Sequence, residues 1–415
     1  MILTNTLPYK LIINMINGTY NLRKSLPIEQ FDIQQDPNYY YNLDGFKFPI
    51  HGSYAGVLCK HGIAYLYCGW SQEITLYYNY DYSEKVLSWG ELYRELPHNA
   101  KILPPGKIIK FEGNQPQTIE VDKFPSPEIR DNTLKEAIAQ YRELLLQAVE
   151  RRVNTCKGKI AVSQSGGVDS QLVSWALLQL GVDFTPFTTC LSPDSWDIHY
   201  AKQNLAAMKG PEPVAILIDE DIIQDCIENA VRLSEDIKTA NPKYMEHAVC
   251  NIAIAKQCLE NDIGTIFNGH AQDDIQGGMY SIYKDLVEMP PTKENAKIWQ
   301  DARVTATKNQ QWHWNDNKTY SAIFRSHGIE LRMPYWDYDL VNWTLAQPME
   351  IIPVSKNKPF VKAAAKKILP QGLWNDPGYK STGYTKGAGW EDYPQQANLV
   401  QELAQQTSIK LFGEE

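Results

Sequence analysis

Residues 160–170 read Ile-Ala-Val-Ser-Gln-Ser-Gly-Gly-Val-Asp-Ser. The β-branched, apolar start (Ile160, Val162) predicts a buried parallel strand. Gly166 and Gly167 predict a turn, and Leu172, Val173, Ala176, Leu177 and Leu180 follow at the spacing of an apolar helix. Strand, glycine turn and helix N-terminus together make an anion site. Amides without helical partners point outwards there, and the glycines let phosphate oxygens approach the main chain. A carboxylate at Asp169 would repel a bare phosphate; it fits if Mg²⁺ lies between the two. The run lacks the lysine of Gly-x-x-x-x-Gly-Lys-Ser/Thr, which excludes a Walker-type loop. The bland alternative is a plain glycine turn with Asp169 and Ser170 as helix caps.

A second acidic run lies downstream: Phe267-Asn268-Gly269-His270-Ala271-Gln272-Asp273-Asp274-Ile275-Gln276-Gly277-Gly278. It follows a short apolar strand pattern, so it belongs at the carboxyl edge of the same sheet. The two carboxylates here, Asp273 and Asp274, could then share a Mg²⁺ with Asp169 and neutralise a departing pyrophosphate. Alone, an Asp-Asp pair before Gly-Gly is more often a cap and a turn.

The elements that must position these runs follow an alternating pattern. Strand candidates lie at 159–164, 183–189, 214–218 and 265–268, with helical patterns at 132–152, 196–208, 221–233 and 244–259 between and before them. That alternation predicts an α/β domain with a doubly wound parallel sheet, with ligands at the carboxyl ends of its strands. Residues 280–400 read as helical, with loops rich in Pro, Gly and aromatics. The stretch before about residue 125 differs. It is tyrosine-rich, with short strand-like runs such as Ala64-Tyr65-Leu66-Tyr67-Cys68, and it ends at the prolines of Lys123-Phe124-Pro125-Ser126-Pro127. Two domains are expected: a smaller β-rich one over 1–125 and the α/β domain over 126–415.

At 415 residues with 43% hydrophobic and 21% charged residues, the chain reads as an ordinary globular protein of two domains. A net charge of −9 argues against broad binding to nucleic acid or anionic membrane. No membrane span or signal peptide is evident. The seven cysteines include no Cys-x-x-Cys pair. They read as reduced structural thiols, so a cytoplasmic setting is expected and a zinc site is not.

The first run resembles the Ser-Gly-Gly-x-Asp-Ser loop of the ATP pyrophosphatases, which split ATP into AMP and pyrophosphate to adenylate a substrate. Over nearly its whole length the chain resembles the class B asparagine synthetases. Gly269 to Met279 is similar to their Gly-Glu-Gly-Ser/Ala-Asp-Glu-Leu-Phe-Gly-Gly-Tyr motif. Gly328-Ile329-Glu330-Leu331-Arg332-Met333-Pro334-Tyr335-Trp336-Asp337 is similar to their Gly-x-Glu-x-Arg-x-Pro-Phe-Leu-Asp segment. Lys358, Lys362 and Leu369-Pro370 fit their Lys-x-x-x-Arg…Leu-Pro stretch, and Lys380 lies near the register of their pyrophosphate-binding lysine. The segment from Ser192 to Asp197 also resembles the family.

The resemblance implies ATP as substrate, Mg²⁺ as cofactor, and adenylation of a carboxylate followed by attack of an amine. It places Asp169 and Asp273 on the metal, and Ser163, Ser165, Gly166, Gly167, Ser170, Asn268 and Gly269 around the nucleotide. Thr188 or Thr189 is expected near the adenine, and Lys380 and Lys358 opposite the developing charge. His270 departs from the family, standing where Gly-Glu-Gly has its glutamate. In the β-lactam synthetases that slot holds a Tyr working with a downstream Glu to deprotonate an internal amine. An imidazole titrating near 6.5 could serve as general base there, oriented by Glu294 or Asp301; the alternative is a histidine that only fills the slot.

Residues 1–125 resemble the later half of the family's glutaminase domain, on Gly52-Ser53-Tyr54-Ala55-Gly56-Val57 and Leu103-Pro104-Pro105-Gly106. That activity needs a cysteine directly after the initiator Met, and here Ile2 stands there, with no cysteine before Cys59. The domain is expected to be degenerate and inactive. The leading expectation is an amide-forming ligase that takes a small-molecule or peptide carboxylate and an amine from ammonia or from the substrate. Alternatives are an asparagine synthetase fed by ammonia or a partner glutaminase, a cyclase of the lasso-peptide or β-lactam type, and a non-catalytic ATP-binding module. tRNA modification fits the acidic balance and the cysteines poorly. Neither the substrates nor the oligomeric state follow from the sequence.

Overall fold

The computed structural model describes residues 17–21, 40–43, 46–49, 55–60, 63–70, 75–84, 86–90, 96–112, 115–120, 124–156, 158–235, 242–276, 292–313, 316–353, 358–370 and 388–412. The chain forms two compact units, one built mainly from residues up to Phe124 and the other mainly from Pro125 onwards. The change falls at the proline-marked segment.

The first unit is antiparallel β. Its strands are β1 (Asn17–Asn21), β2 (Tyr40–Leu43), β3 (Phe46–Pro49), β4 (Ala55–Lys60), β5 (Ile63–Cys68), β6 (Tyr77–Asp81), β7 (Val86–Gly90), β8 (Lys101–Ile102), β9 (Lys107–Glu112) and β10 (Gln115–Glu120). Two four-stranded sheets run in the orders β1-β7-β6-β8 and β10-β9-β5-β4, and β2 and β3 form a hairpin. Leu87 and Trp89 of one sheet share a core with Val57, Leu66, Ile109 and Phe111 of the other. In β5 both faces are covered, since Tyr65 and Tyr67 are buried as fully as Ala64 and Leu66. The Leu-Pro-Pro-Gly turn closes against this strand: Gly106, at φ 65°, donates its N–H to the carbonyls of Cys68 and Gly69.

The second unit opens with α1 (Leu134–Val153). Thr133 and Glu136 cap it reciprocally, and Tyr141, Leu145 and Val149 form its buried stripe. Then come β11 (Lys159–Ser163), α2 (Val168–Gln179), β12 (Thr185–Cys190), α3 (Trp196–Ala207), β13 (Val214–Leu217), α4 (Glu220–Glu235), α5 (Pro242–Glu260), β14 (Ile263–Phe267) and the single turn α6 (Gln272–Ile275). They are followed by α7 (Lys293–His313), α8 (Asp316–Ser326), β15 (Glu330–Arg332), α9 (Tyr338–Leu345), α10 (Pro359–Ile368) and α11 (Pro394–Phe412); of these, Gln311–Ala322 falls with the first unit.

The sheet is parallel throughout, in the order β13-β12-β11-β14-β15. From the central β11 the chain winds outward through β12 and β13. It then crosses back to β14 on the other side. The topological switch point, where open α/β sheets bind ligands, therefore lies between the carboxyl ends of β11 and β14. Both acidic runs start there. Strand β15, inside the Gly328–Asp337 segment, was not expected: three residues with an arginine and a glutamate carry too weak a pattern to read as a strand.

Among the described residues the cysteines form no disulfide, and no helix is long and apolar enough to cross a membrane.

Candidate active site

The loop after β11 is tied together by its own polar groups. Ser165 N–H donates to Ser170 Oγ (3.1 Å), Gly166 N–H to Asp197 Oδ1 (2.9 Å) and Gly167 N–H to Ser165 Oγ (3.1 Å). Gln164 Nε2 donates to the Ser165 carbonyl and Gln171 Nε2 to that of Gly166. These amides were expected to point outwards without partners. Instead their acceptors lie inside the protein, so the loop keeps its shape without an anion. The donors that helical geometry leaves at the start of α2 are the amides of Val168 and Asp169, since Gly269 covers that of Ser170.

Gly166 is fixed by what lies beneath it: a Cβ there would stand 2.6 Å from the Trp196 ring. Asp197, at the start of α3, is almost fully buried below the loop. Burial pushes its carboxyl up to about 7, against the opposing pull of the Gly166 N–H.

The loop after β14 meets this first loop through its backbone. A Cβ on Gly269 would lie 2.6 Å from Ser170 N and 2.7 Å from the Asp169 carbonyl carbon, a distance only glycine allows. Asn268 is buried; its N–H donates to the Arg332 carbonyl on β15, and its Oδ1 accepts from His270 N–H at 3.2 Å. Ala271, at φ 77°, is a non-glycine residue in the left-handed region, held there as α6 begins.

The two carboxylates converge on one cation. Lys358 Nζ lies 2.5 Å from Asp169 Oδ2 and 2.5 Å from Asp273 Oδ1. Burial raises the Asp169 carboxyl to about 6; the Lys358 ammonium opposes that shift and Asp273 adds to it. Burial alone would lower the Lys358 ammonium, but the two carboxylates hold it above its ordinary value. Asp273 is half exposed and Asp169 much less so. Asp169 Oδ1 is buried with no hydrogen-bond partner. An acceptor left open in this way, beside a second carboxylate, is what a hard oxygen-seeking cation such as Mg²⁺ needs, so Asp169 and Asp273 fit one. Among the described residues no cluster of three or more His, Cys, Asp or Glu could hold a metal alone, which leaves the remaining ligands to water and substrate oxygens.

Beneath the loops lies a buried polar cluster. Tyr335 O–H donates to the Asp169 carbonyl (2.8 Å), and Gln272 Nε2 donates to the Tyr141 hydroxyl (2.7 Å). Burial raises both tyrosine hydroxyls, which also lie close enough to shift each other's titration, Tyr141 raising that of Tyr335 and Tyr335 opposing the rise in Tyr141. Tyr335 ties down the first turn of α2 and Tyr141 ties down α6. Two residues after Tyr335, Asp337 caps α9 and accepts from Arg151 and Arg152. Burial alone would raise Asp337, but the Arg152 and Arg151 guanidiniums hold it below the usual carboxylate range.

Of the residues expected at the site, Ser163, Ser165, Gly166, Gly167, Asp169 and Ser170 lie on the first loop and its flanks, and Asn268, Gly269, His270 and Asp273 on the second. Lys358 joins them. Thr188 is committed to the loop itself, its hydroxyl donating to the Gln164 carbonyl, and Thr189 is buried one residue further along β12. Lys362, one turn beyond Lys358 on α10, does not share the bridge; burial and the neighbouring Lys358 and Lys366 lower its ammonium. Lys380, Ile2, Gly277 and Gly278 lie outside the described residues. His270 was expected to titrate near 6.5. Burial instead pushes its imidazole down to about 4, with Asp273 opposing and Lys358 assisting. Nor does Asp301 orient it, since that carboxylate pairs with Lys297 one turn away on α7, and Glu294 is exposed. Asp197, Tyr141 and Gln272 were not singled out as site residues. Tyr141 lies inside the helical pattern at 132–152, and only its buried hydroxyl distinguishes it.

Residues 140–324 and 300–411 match the asparagine synthase family model, which together is more than half of the chain. Two curated relatives are each 23% identical. One is a probable asparagine synthetase (glutamine-hydrolyzing) of Acanthamoeba polyphaga mimivirus, matched over 56% of this chain and 41% of its own length. The other is an asparagine synthetase (glutamine-hydrolyzing) of Gallus gallus, matched over 62% of this chain and 46% of its own length. The chain thus spans less than half of either relative. Among solved structures, a U34-tRNA thiolase from Methanococcus maripaludis aligns over 67% of this chain and 81% of its own, with 10% identity and a TM-score of 0.31, too distant to guide any residue assignment.

Proposed function

This chain belongs to the asparagine synthase family, and from that premise we propose that it is an ATP-dependent amide-forming ligase. It adenylates a substrate carboxylate, releases pyrophosphate and passes the acyl group to an amine. The observation that carries this reading is the convergence of Asp169 and Asp273 on Lys358 at the switch point of the sheet, with Gly269 seated on the Asp169–Ser170 backbone. Carboxylates so close to a helix N-terminus suit a triphosphate only with a cation between them.

The first turn of α2 binds phosphate oxygens through its amides, and Ser165 and Ser170 hold the loop in register. Asp169 and Asp273 would carry Mg²⁺, which when bound offsets the charge that builds up on departing pyrophosphate. Lys358, and Lys380 by its resemblance, supply further positive charge at the same place. The buried bonds of Tyr335 to the Asp169 carbonyl and of Gln272 to Tyr141 fix each loop on its support, so that the charged groups are already placed when the substrate arrives.

The proposed nitrogen source is ammonia or an amine on the substrate, on the reading of the first unit as a degenerate glutaminase-like domain. Histidine in place of the family's glutamate at position 270 favours a nucleophile or acyl acceptor other than that of housekeeping asparagine synthesis. The test is release of AMP and pyrophosphate, screened over aspartate, other amino acids and peptides, each with ammonium, with glutamine and with neither. Turnover with ammonium or with an amine-bearing substrate alone is expected. Turnover that requires glutamine and releases glutamate contradicts the assignment of the first unit.

A further inference from the structure

Lys358 occupies an unusual place. Its ammonium bonds one oxygen of each carboxylate expected to hold the metal, at 2.5 Å on both sides, and its side chain is almost buried. Its backbone is in the left-handed region at φ 44°, directly before Pro359 at the start of α10. That conformation is unfavourable for a lysine. Asp169 Oδ1 is left buried and unbonded beside the bridge.

The charges explain what this arrangement does. Two carboxylates and one ammonium sum to a single negative charge. A bare divalent ion entering beside the ammonium would turn the cluster positive, and one that expelled the ammonium would strand a buried cation without a partner. A triphosphate changes both outcomes, because it adds negative charge and offers the ammonium new oxygens. We propose that Lys358 is a resident cation that closes the two-carboxylate site to free divalent metal and yields it only when metal and triphosphate arrive together. This deepens the metal reading of Asp169 and Asp273 given above, on which it rests. Metal binding is then conditional on nucleotide, and the two carboxylates stay held at working distance between turnovers.

The test is Mn²⁺ uptake by the full chain, read by electron paramagnetic resonance, with the ion alone and with α,β-methylene-ATP, which cannot be cleaved where the reaction cleaves. Wild type is expected to take up Mn²⁺ only with the nucleotide. Lys358→Met is expected to bind Mn²⁺ alone, more tightly than wild type by on the order of tenfold or more, as removal of a unit charge a few ångströms away implies. Adding Asp273→Asn to that variant should abolish the gain. Wild type that binds Mn²⁺ equally well with and without nucleotide overturns the inference, and this comparison needs no variant to fold. Nucleotide-dependent uptake in wild type, with Lys358→Met no tighter for the ion alone, defeats the inference and leaves the metal reading standing. Wild type that takes up Mn²⁺ under neither condition overturns the metal reading and the inference together.

Discussion

Gly269 sits on the backbone of Ser170 so closely that a Cβ would lie 2.6 Å from the Ser170 amide nitrogen. Two loops that leave different strands, with about a third of the α/β unit's chain between them, meet here main chain to main chain. Gly269→Ala has no flexible side chain to push aside; the loops must separate. The expected outcome is a stability loss of about 1–3 kcal/mol, as for overpacking of a close-packed contact, with a larger fall in turnover because the two carboxylates move apart. Denaturant unfolding and pyrophosphate release on the same preparation check it. An alanine variant with normal turnover would mean that the contact is not needed.

Asp169→Asn and Asp273→Asn should each lower pyrophosphate release by on the order of 10²–10³-fold or more, the scale of losing a group that stabilises transition-state charge. Their stabilities should differ. Asp169 is the more buried partner of Lys358. Its replacement should cost more than that of Asp273, though less than the roughly 3–5 kcal/mol of an isolated buried pair, because Asp273 still faces the ammonium. Thermal melting of the two variants separates these effects.

His270 is held below its ordinary value by burial, at about 4. It is therefore neutral throughout the working range and a weaker base than a histidine titrating near 6.5. The ratio of wild-type to His270→Ala rates for amide formation should stay flat from roughly pH 6 to 9. A ratio that rises through neutral pH would show an imidazole titrating at its ordinary value.

Asp197 offers the clearest pH test of the fold. Its folded value, pushed up to about 7, exceeds the unfolded value near 3.9. The folded chain keeps the extra proton between those limits. Its contribution to stability is therefore full at low pH and lost as pH rises through about 7. Asp197→Asn cannot titrate, yet its amide oxygen still accepts from Gly166 N–H. The stability of the Asn variant relative to wild type should thus be greater at pH 8 than at pH 5. Asp197→Ala leaves that N–H without an acceptor and should cost about 1–3 kcal/mol. A pH-independent difference between the Asn variant and wild type would contradict the raised carboxyl.

Much of this geometry was legible in the residues. The strands at 159–164 and 214–218 appear as Lys159–Ser163 and Val214–Leu217; the first is buried at the centre of the sheet, as its apolar run demands, while the second is a largely exposed edge strand. Both acidic loops could be placed at the strand ends because each follows an apolar run. What the residues could not convey was long-range pairing. Nothing near Gly166 in sequence points to Asp197 as the acceptor of its amide, and the resemblance that brings Lys358 to the site does not show it pairing with Asp169 and Asp273. The value of His270 was misjudged because a reference pKa omits desolvation, which only the packed structure shows.

The central claim is that a substrate carboxylate becomes joined to AMP. Its most direct measurement is transfer of ¹⁸O from the labelled carboxylate of whichever substrate supports turnover. An acyl-adenylate leaves one carboxylate oxygen on the phosphorus when the amine takes the acyl group, so AMP should carry one ¹⁸O and pyrophosphate none. Label-free AMP, or label appearing in orthophosphate alongside ADP, would contradict adenylation at this site.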